Sequence, residues 1–501
     1  MTNLEWHFCV DWDKDKRIDY PDDDERSRLV GYSASRGRFS FIENNGSGLV
    51  KITPGTCTIT LDNYDGRYDP YNTSSALYPN VTAGATGTVF IGDPADGDFR
   101  FTGTIENIEV VGGSTNQRVI LSLSDSLKRF ENSITSDGVE ISQGTGYCIT
   151  EILYKSGWSL FSSYISIYYS GGIKNTCGYN IFPGADNIPY WTVSGKTGLE
   201  AIHEITEYEF GNYGARGTGY FVWLGRNTSP PSVVTIDQSE MLKDVVIPMP
   251  YNAVRNCVKV YSYPKTLQST AALWKLGDKP YVGPSSSIEV WGDFKYDGRS
   301  VAAINTAQPV ATTDYLMNTA ADGTGTNKTA DFTVAATYFG ETVKNVITNN
   351  GTAAGAYVTF LQNRGQAVDT PYTSYAMADT SGTDVKRMFI IDTPWMQDTN
   401  KAQQYADYLL DILSEPRKYP VFQLENQFDK QFSFDLLDRI TVTMAKYGIS
   451  QDFRVGGIEH EWLSDNGQAV RTTVYTEPFV AATVQDGYWF FPMTFPTVFP
   501  Y

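Results

Sequence analysis

Five aspartates, Asp11, Asp13, Asp15, Asp19 and Asp22, fall at positions 1, 3, 5, 9 and 12 of the stretch DWDKDKRIDYPD. Carboxylates at that spacing are how a loop surrounds a hard cation such as Ca²⁺. Two residues break the pattern. Lys16 stands where a glycine normally permits the sharp turn, and Asp22 replaces the bidentate glutamate. The flanking segments also read as strand or coil instead of the helices of an EF-hand. A structural Ca²⁺ at this loop therefore competes with a solvated acidic hairpin, and no metal ligands are assigned.

Other chemistry-bearing residues form no complete set. Gly195-Lys196-Thr197 precedes a helical pattern as in a phosphate-binding loop, but Tyr190 occupies the position of the first glycine, and no parallel βα pattern surrounds it. Thr197 reads instead as a residue of the helix N-terminus. HEITE, 203–207, lacks the second histidine of a zinc-protease helix. The only histidines, His7, His203 and His460, sit in no shared motif. A glycosidase needs just two carboxylates, and 57 acidic residues nominate no pair. No catalytic or cofactor-binding residue is assigned, no cofactor is expected, and the protein is read as a non-enzyme.

The elements that would carry these residues are mostly strands. TCTITL (56–61) alternates Cys57, Ile59 and Leu61 on one face before a turn at Asp65-Gly66. FRFTGTIENIEVV and RVILSLSD continue the pattern, and DSLKRFENSI reads as a short helical turn. Helical spacing appears in KTGLEAIHEITEYE (196–209), with Leu199, Ile202, Ile205 and Tyr208 on one face. It appears again in NKAQQYADYLLDIL (400–413), where Asn400 is expected to cap the start and Pro416 to enforce the stop. Residues 301–385, rich in Thr, Ala, Gly and Asn, read as a small inserted β-sandwich.

Composition agrees with that pass. Aromatic residues make up 14%, with 33 Tyr and 44 Gly, a balance that favours strands and turns. A length of 501 residues accommodates about three domains. The formal charge of −18 disfavours nucleic acid or anionic lipid as a bound partner. Cys9, Cys57, Cys148, Cys177 and Cys257 show no C-x-x-C spacing, so reduced thiols are expected. No signal peptide and no apolar run long enough to cross a membrane is visible, and the N-x-[ST] triplets at Asn72, Asn80 and Asn227 are read as chance matches. The expected fold is mainly β with a minor α+β part, in several domains.

The densest pattern is GTCTITLDNYDGRYDPYNTSSALYPNV (55–81). With Trp12 in its Asp cluster, Arg36-Gly37, Gly55-Thr56, Leu61, Asn63, Asp65-Gly66-Arg67-Tyr68, Pro70 and then Phe101, Gly103 and Ile105, it resembles the tail-tip (baseplate) hub proteins of long-tailed bacteriophages. KTGLEAIHEITEYEFG, YNAVRNCVKVY, KAQQYADYLLDILSEP, FDLLDRITVT and FRVGGIEHEW follow in the order of that family's later elements. AYVTFLQNRGQAV (356–368) is similar to its inserted β-domain. LLDRI departs from the family at the residue before Asp438, where glycine is common. Residues 131–195 match no named pattern.

The resemblance implies an N-terminal β-barrel over 1–130, an α+β domain over 131–250, and a second β-barrel from 251–300 plus 386–480. The Ig-like sandwich over 301–385 and an extended arm over 481–501 complete the chain. It further implies a ring, commonly a trimer, that caps the tail tube at the tail tip of a virion assembled in the host cytoplasm. Implied partners are distal tail or tube proteins, the tape-measure protein, and a fibre or receptor-binding protein, with DNA passing through the lumen as transient cargo. An acidic lumen wall would let that DNA through. The apolar YWFFPMTFPTVFPY, kept extended by Pro492, Pro496 and Pro500, is expected to dock on a neighbouring subunit or the next tail component. The alternative from another class is a Ca²⁺-dependent carbohydrate-binding or glycan-hydrolysing protein of the tail or cell surface.

Overall fold

A computed structural model describes residues 4–479, apart from 39–47, 113–116, 136–137, 159–164, 171, 177, 243–244, 248–253, 381–384, 416–417 and 465–466. The expected arm over 481–501 and the expected helix stop at Pro416 lie outside the described residues. No described helix is long and apolar enough to cross a membrane.

The fold is mainly β. Its spine is a sheet of eleven strands among the described residues, drawn from both ends of the chain. The N-terminal part runs in the order Trp6–Asp11, Thr86–Ile91, Asp98–Val111, Arg118–Asp125, Thr56–Asp62 and Leu29–Gly37. These strands alternate as the sequence predicts. Cys57, Ile59 and Leu61 face a core with Phe8, Val89, Phe101 and Leu121, while Thr56 and Thr58 face out. The short helical turn follows at Ser126–Glu131, capped by Asp125, which accepts a hydrogen bond from the Leu127 amide.

The two chain ends meet where Ser33–Gly37 pairs antiparallel with Gly457–Glu461. The partner strand, Ile449–Trp462, is long enough to pair also with Arg439–Met444 and with Val470–Pro478. A second core of Phe422, Leu424, Ile440, Val442, Phe453 and Val474 lies over this part. One continuous sheet thus carries two hydrophobic cores.

Three helices pack beside it in a common core. Helix α1, Thr145–Lys155, buries Cys148, Ile149, Ile152 and Leu153. The sequence pattern alone predicts no helix here. Helix α2, Gly198–Glu209, buries Leu199, Ile202, Ile205 and Tyr208, as its periodicity predicts. Thr197 is its N-cap: the hydroxyl accepts from the Glu200 amide (3.2 Å) and the Glu200 carboxylate accepts from the Thr197 amide (2.9 Å). Thr197 thus stands at the helix N-terminus as the sequence suggests, with Gly195 and Lys196 in the short strand Ser194–Thr197 that leads into it. Helix α3, Thr399–Leu413, is capped by Asp398 and not by the expected Asn400; the Asp398 carboxylate accepts from the Asn400 amide at 2.8 Å. Asn400 is already inside the helix, where its side chain cannot cap. Helix α3 covers one face of a three-stranded sheet formed by Cys257–Ser262, Ser374–Asp379 and Met388–Ile391.

From that sheet projects a pair of small sheets. One gathers Thr266–Lys275, Tyr281–Val282, Ala302–Ala307 and Tyr315–Asn318 along the long strand Ala356–Asp369; the other is Ser287–Asp293, Thr342–Asn349 and Phe332–Phe339. Val282, Met317, Phe332, Ile347, Val358 and Leu361 fill the space between them. The stretch 301–385 takes in the later strands of this pair, whereas Thr266–Lys275 and Ser287–Asp293 precede it and Ser374–Asp379 belongs to the carrying sheet.

Candidate functional site

Three of the five aspartates converge. The carboxylates of Asp11, Asp13 and Asp15 lie within 4.8 Å of one another, with Asp11 buried and the other two exposed. Asp19 instead accepts a 2.7 Å hydrogen bond from Arg17 Nε, and Asp22 is exposed. Asp11 closes the turn itself, accepting from the amides of Asp15 (3.2 Å) and Lys16 (3.0 Å). Burial, followed by a hydrogen bond with Asp13, pushes Asp11 up to about 6. Lys16 adopts the left-handed conformation (φ 69°) that the sharp turn requires, despite carrying a side chain.

The acidic turn is pinned at its base by the DNYDGRY motif. Glu25, buried, accepts from Tyr68 Oη (2.6 Å), Arg67 Nη2 (3.1 Å) and Trp12 Nε1 (3.4 Å). Arg28 binds Asp65 through two 2.7 Å hydrogen bonds, and this pairing holds Asp65 down at about 2. Lys14 Nζ reaches the far side of the loop at Thr82 Oγ1 and Ala83 O, both 2.7 Å. The motif thus serves as a lock between the acidic turn and the 63–83 loop. Tyr68→Phe leaves the Glu25 carboxylate one donor short in a buried site. We expect it to cost about 1.5–3 kcal/mol in urea unfolding, the range for a hydrogen bond to a charged group.

A second constellation lies where the chain ends meet. Arg36, Arg38 and Arg100 from the N-terminal part are buried against Asp435 and Glu477 from the C-terminal part. Arg36 Nη2 sits 2.8 Å from Asp435 Oδ1, and Arg36 Nη1 donates to Ala215 O at 3.1 Å. Arg38 forks onto the Glu477 carboxylate, with Nη2 to Oε2 at 2.8 Å, and also reaches Asn212. The Gly217 amide donates to Asp435 Oδ2 at 2.7 Å, and Arg216 pairs with Asp438. Burial works to raise Asp435, yet the guanidiniums of Arg36 and Arg100 hold it below its ordinary value. Arg454, paired across the strands with Glu477, is lowered to about 10, first by burial and also by Arg38. Three segments of the chain are joined by this seam.

Backbone fit completes the seam. Gly37 has φ +93°, and a Cβ there would lie 2.3 Å from Gly456 O and 2.6 Å from Leu436 Cδ1. Arg36-Gly37 therefore places an ion-pairing side chain and a close backbone approach side by side. At Leu437, where the sequence departs from the hub pattern, the backbone keeps the left-handed turn (φ 70°) that glycine favours, and the leucine side chain is buried in the second core.

The histidines stay apart on different elements. His7 bonds Asp24 (2.7 Å) and His460 bonds Thr472 (2.9 Å). His203 lies 3.8 Å from Glu207 on α2, and burial lowers it to about 4. At the C-terminal end of α2, Glu209 is fully buried; its carboxylate accepts from Thr145 Oγ1 (3.0 Å) and from the Ala185 amide (2.5 Å). Burial raises it to about 7, against the pull of Arg226. A carboxyl raised above its unfolded value binds its proton more tightly when folded, so its contribution to stability is present at pH 4–5 and is lost as pH rises through 7. Glu209→Gln should shrink the difference in melting temperature between pH 5 and pH 8.

No family model matches the sequence, and no curated protein matches it. Solved structures similar to it include the following three. A 43 kDa tail protein of prophage MuSo2 from Shewanella oneidensis is 8% identical, with a TM-score of 0.49, covering 95% of this chain and 96% of that one. The tail protein from Neisseria meningitidis MC58 is 9% identical, TM-score 0.49, with coverages of 94% and 96%. Prophage tail protein gp18 from Listeria monocytogenes EGD-e is 6% identical, TM-score 0.42, with 94% of each chain covered. All three are tail proteins.

Proposed function

We propose that this chain is a structural subunit of a phage tail tip: a hub that closes into a ring, of three copies, and caps the tail tube. The observation that carries this is the seam. Of the residues through which the sequence resembles hub proteins, Arg36-Gly37 lie in that seam and join the sheet halves, while Trp12 and Asp65-Gly66-Arg67-Tyr68 lock the acidic turn to its neighbouring loop. Residues spent on rigidity, with two cores on one sheet, suit a part that transmits load between neighbours. Ring closure would cover exposed sheet edges and bury the large interfaces that obligate oligomers need.

In this role the ring meets distal tail or tube proteins above, the tape-measure end within and a fibre or receptor-binding protein below, at the tail tip of the virion. DNA crosses the lumen without a lasting contact, and the net charge of −18 suits such passage. The apolar C-terminal segment docks on a neighbouring subunit or on the next tail component. Sedimentation and negative-stain imaging of the purified chain test this: three-copy rings are expected, and a monomer at micromolar concentration would contradict it. Deleting 485–501 should weaken assembly while leaving the melting transition of the subunit in place. Unchanged assembly would remove the docking role of that segment.

A further inference from the structure

Among the described residues the eleven-stranded sheet comes to an end at three strands, and the chain itself covers two of them. Beyond Trp6–Asp11, the Glu25 amide donates to Phe8 O at 2.8 Å and the Val10 amide to Asp23 O at 3.3 Å. Beyond Val421–Glu425, the Leu242 amide donates to Gln423 O at 2.9 Å, and Val246 and Val421 exchange both backbone bonds. The third end is Ser232–Asp237, which pairs with Arg439–Met444 on one side and with no described strand on the other. Val233 there is 48% exposed, and Val234, Met241, Val245 and Ile247 are only partly buried where they pack on the second core. An apolar edge left in this state is a template for one more strand.

The last described residue arrives beside that edge. The Phe479 ring lies under the Arg439 guanidinium, 4.3 Å from its centroid, and Arg439 is paired with Ser232. The sequence continues from Val480 to Tyr501, with Pro492, Pro496 and Pro500 recurring every four residues. On a polyproline helix, with three residues per turn, these prolines would point in three directions. On a strand, where successive residues alternate, all three share one edge. That edge lacks their N–H groups and accepts no further strand, while the amides of Met493, Phe495, Thr497, Phe499 and Tyr501 remain free on the other. The same alternation puts Phe491, Met493, Phe495, Phe499 and Tyr501 on one face, so the segment has the pattern of an edge strand with an aromatic side to cover.

We propose that residues 491–501 of one copy add as a strand to the open edge Ser232–Asp237 of a neighbouring copy, laying their aromatic face on the rim of its second core. This pairing rests on the docking role given above to the C-terminal segment, and supplies its receiving surface. Residues 480–490 span up to about 36 Å when extended, enough to leave one copy and reach the next. Phe491, Phe495, Phe499 and Tyr501, at 150–250 Å² each, bring about 600–1,000 Å², the area that each side of a stable protein interface needs. Backbone bonds along the edge give the affinity, and the alternate side chains give the fit. Each copy gives one strand and takes one, a head-to-tail contact of the kind that closes rings. The prolines on the far edge then stop a further strand from adding.

The test uses the full chain with Phe495 replaced by p-benzoylphenylalanine, co-assembled from isotopically heavy and light copies and irradiated. Cross-links from the introduced group to 232–247 that join a heavy chain to a light one are expected. Cross-links within one chain, to another surface, or none at all would overturn the proposal. Sedimentation of two proline variants reads the strand itself. Thr497→Pro removes an amide from the bonding edge and should weaken assembly about tenfold or more, whereas Val498→Pro falls on the silent edge and should change it less than about twofold. Equal effects, or a larger one from Val498→Pro, would overturn the strand geometry. Rings of three that form without the cross-link would remove this pairing and leave the ring; the cross-link between copies that form no ring would do the reverse.

Discussion

Glu477→Gln should be among the most destabilising single substitutions in this chain. It lowers stability by about 3–5 kcal/mol, the usual cost of breaking a buried ion pair on one side. Glu477 is 4% exposed and faces Arg38, at 4%, and Arg454, at 7%. The amide keeps the volume and one acceptor, so packing is little changed; what is lost is the charge that two buried guanidiniums share. Urea unfolding at pH 7 measures the loss, and replacing Arg38, Arg454 and Glu477 together by apolar residues of similar volume should recover much of it. A Glu477→Gln variant within about 0.5 kcal/mol of the parent, the range of an ordinary surface substitution, would mean that the seam carries no stability.

Gly37→Ala comes next, for a steric reason. The added Cβ meets a backbone oxygen at 2.3 Å, and φ +93° is a conformation that side-chain-bearing residues rarely adopt. The Leu436 side chain could turn aside, but the Gly456 carbonyl belongs to the strand that joins the two sheet halves. We expect a loss of about 3 kcal/mol or more, with the pairing of Ser33–Gly37 to Gly457–Glu461 opening first. Hydrogen exchange at the amides of that pairing reads it directly. Protection equal to the parent's would contradict the assignment of Gly37 to the junction.

Local pattern made much of the fold legible. Period-two runs such as TCTITL and period-3.6 runs such as KTGLEAIHEITEYE put their apolar residues where the cores are. The cap of α3 was misplaced by two residues because Asp398 and Asn400 are both competent caps and only the backbone decides. Helix α1 is hard to read in the sequence because Thr, Gly, Tyr and Cys open it, and its buried apolar stripe is just four side chains, Cys148, Ile149, Ile152 and Leu153. The seam was half legible: Arg36-Gly37 stood out as a pattern, but Asp435 and Glu477 are some 400 residues away in sequence, and no spacing connects them. For the aspartates, spacing found the three that converge, whereas Asp19 goes to Arg17, a competitor two residues away.

The measurement that bears most directly on the tail-tip proposal is localisation of the chain, tagged and gold-labelled, on intact phage particles by electron microscopy. Label confined to the end of the tail distal from the head is the predicted result. Label along the tube, on the fibres, or absent from the particle would contradict it.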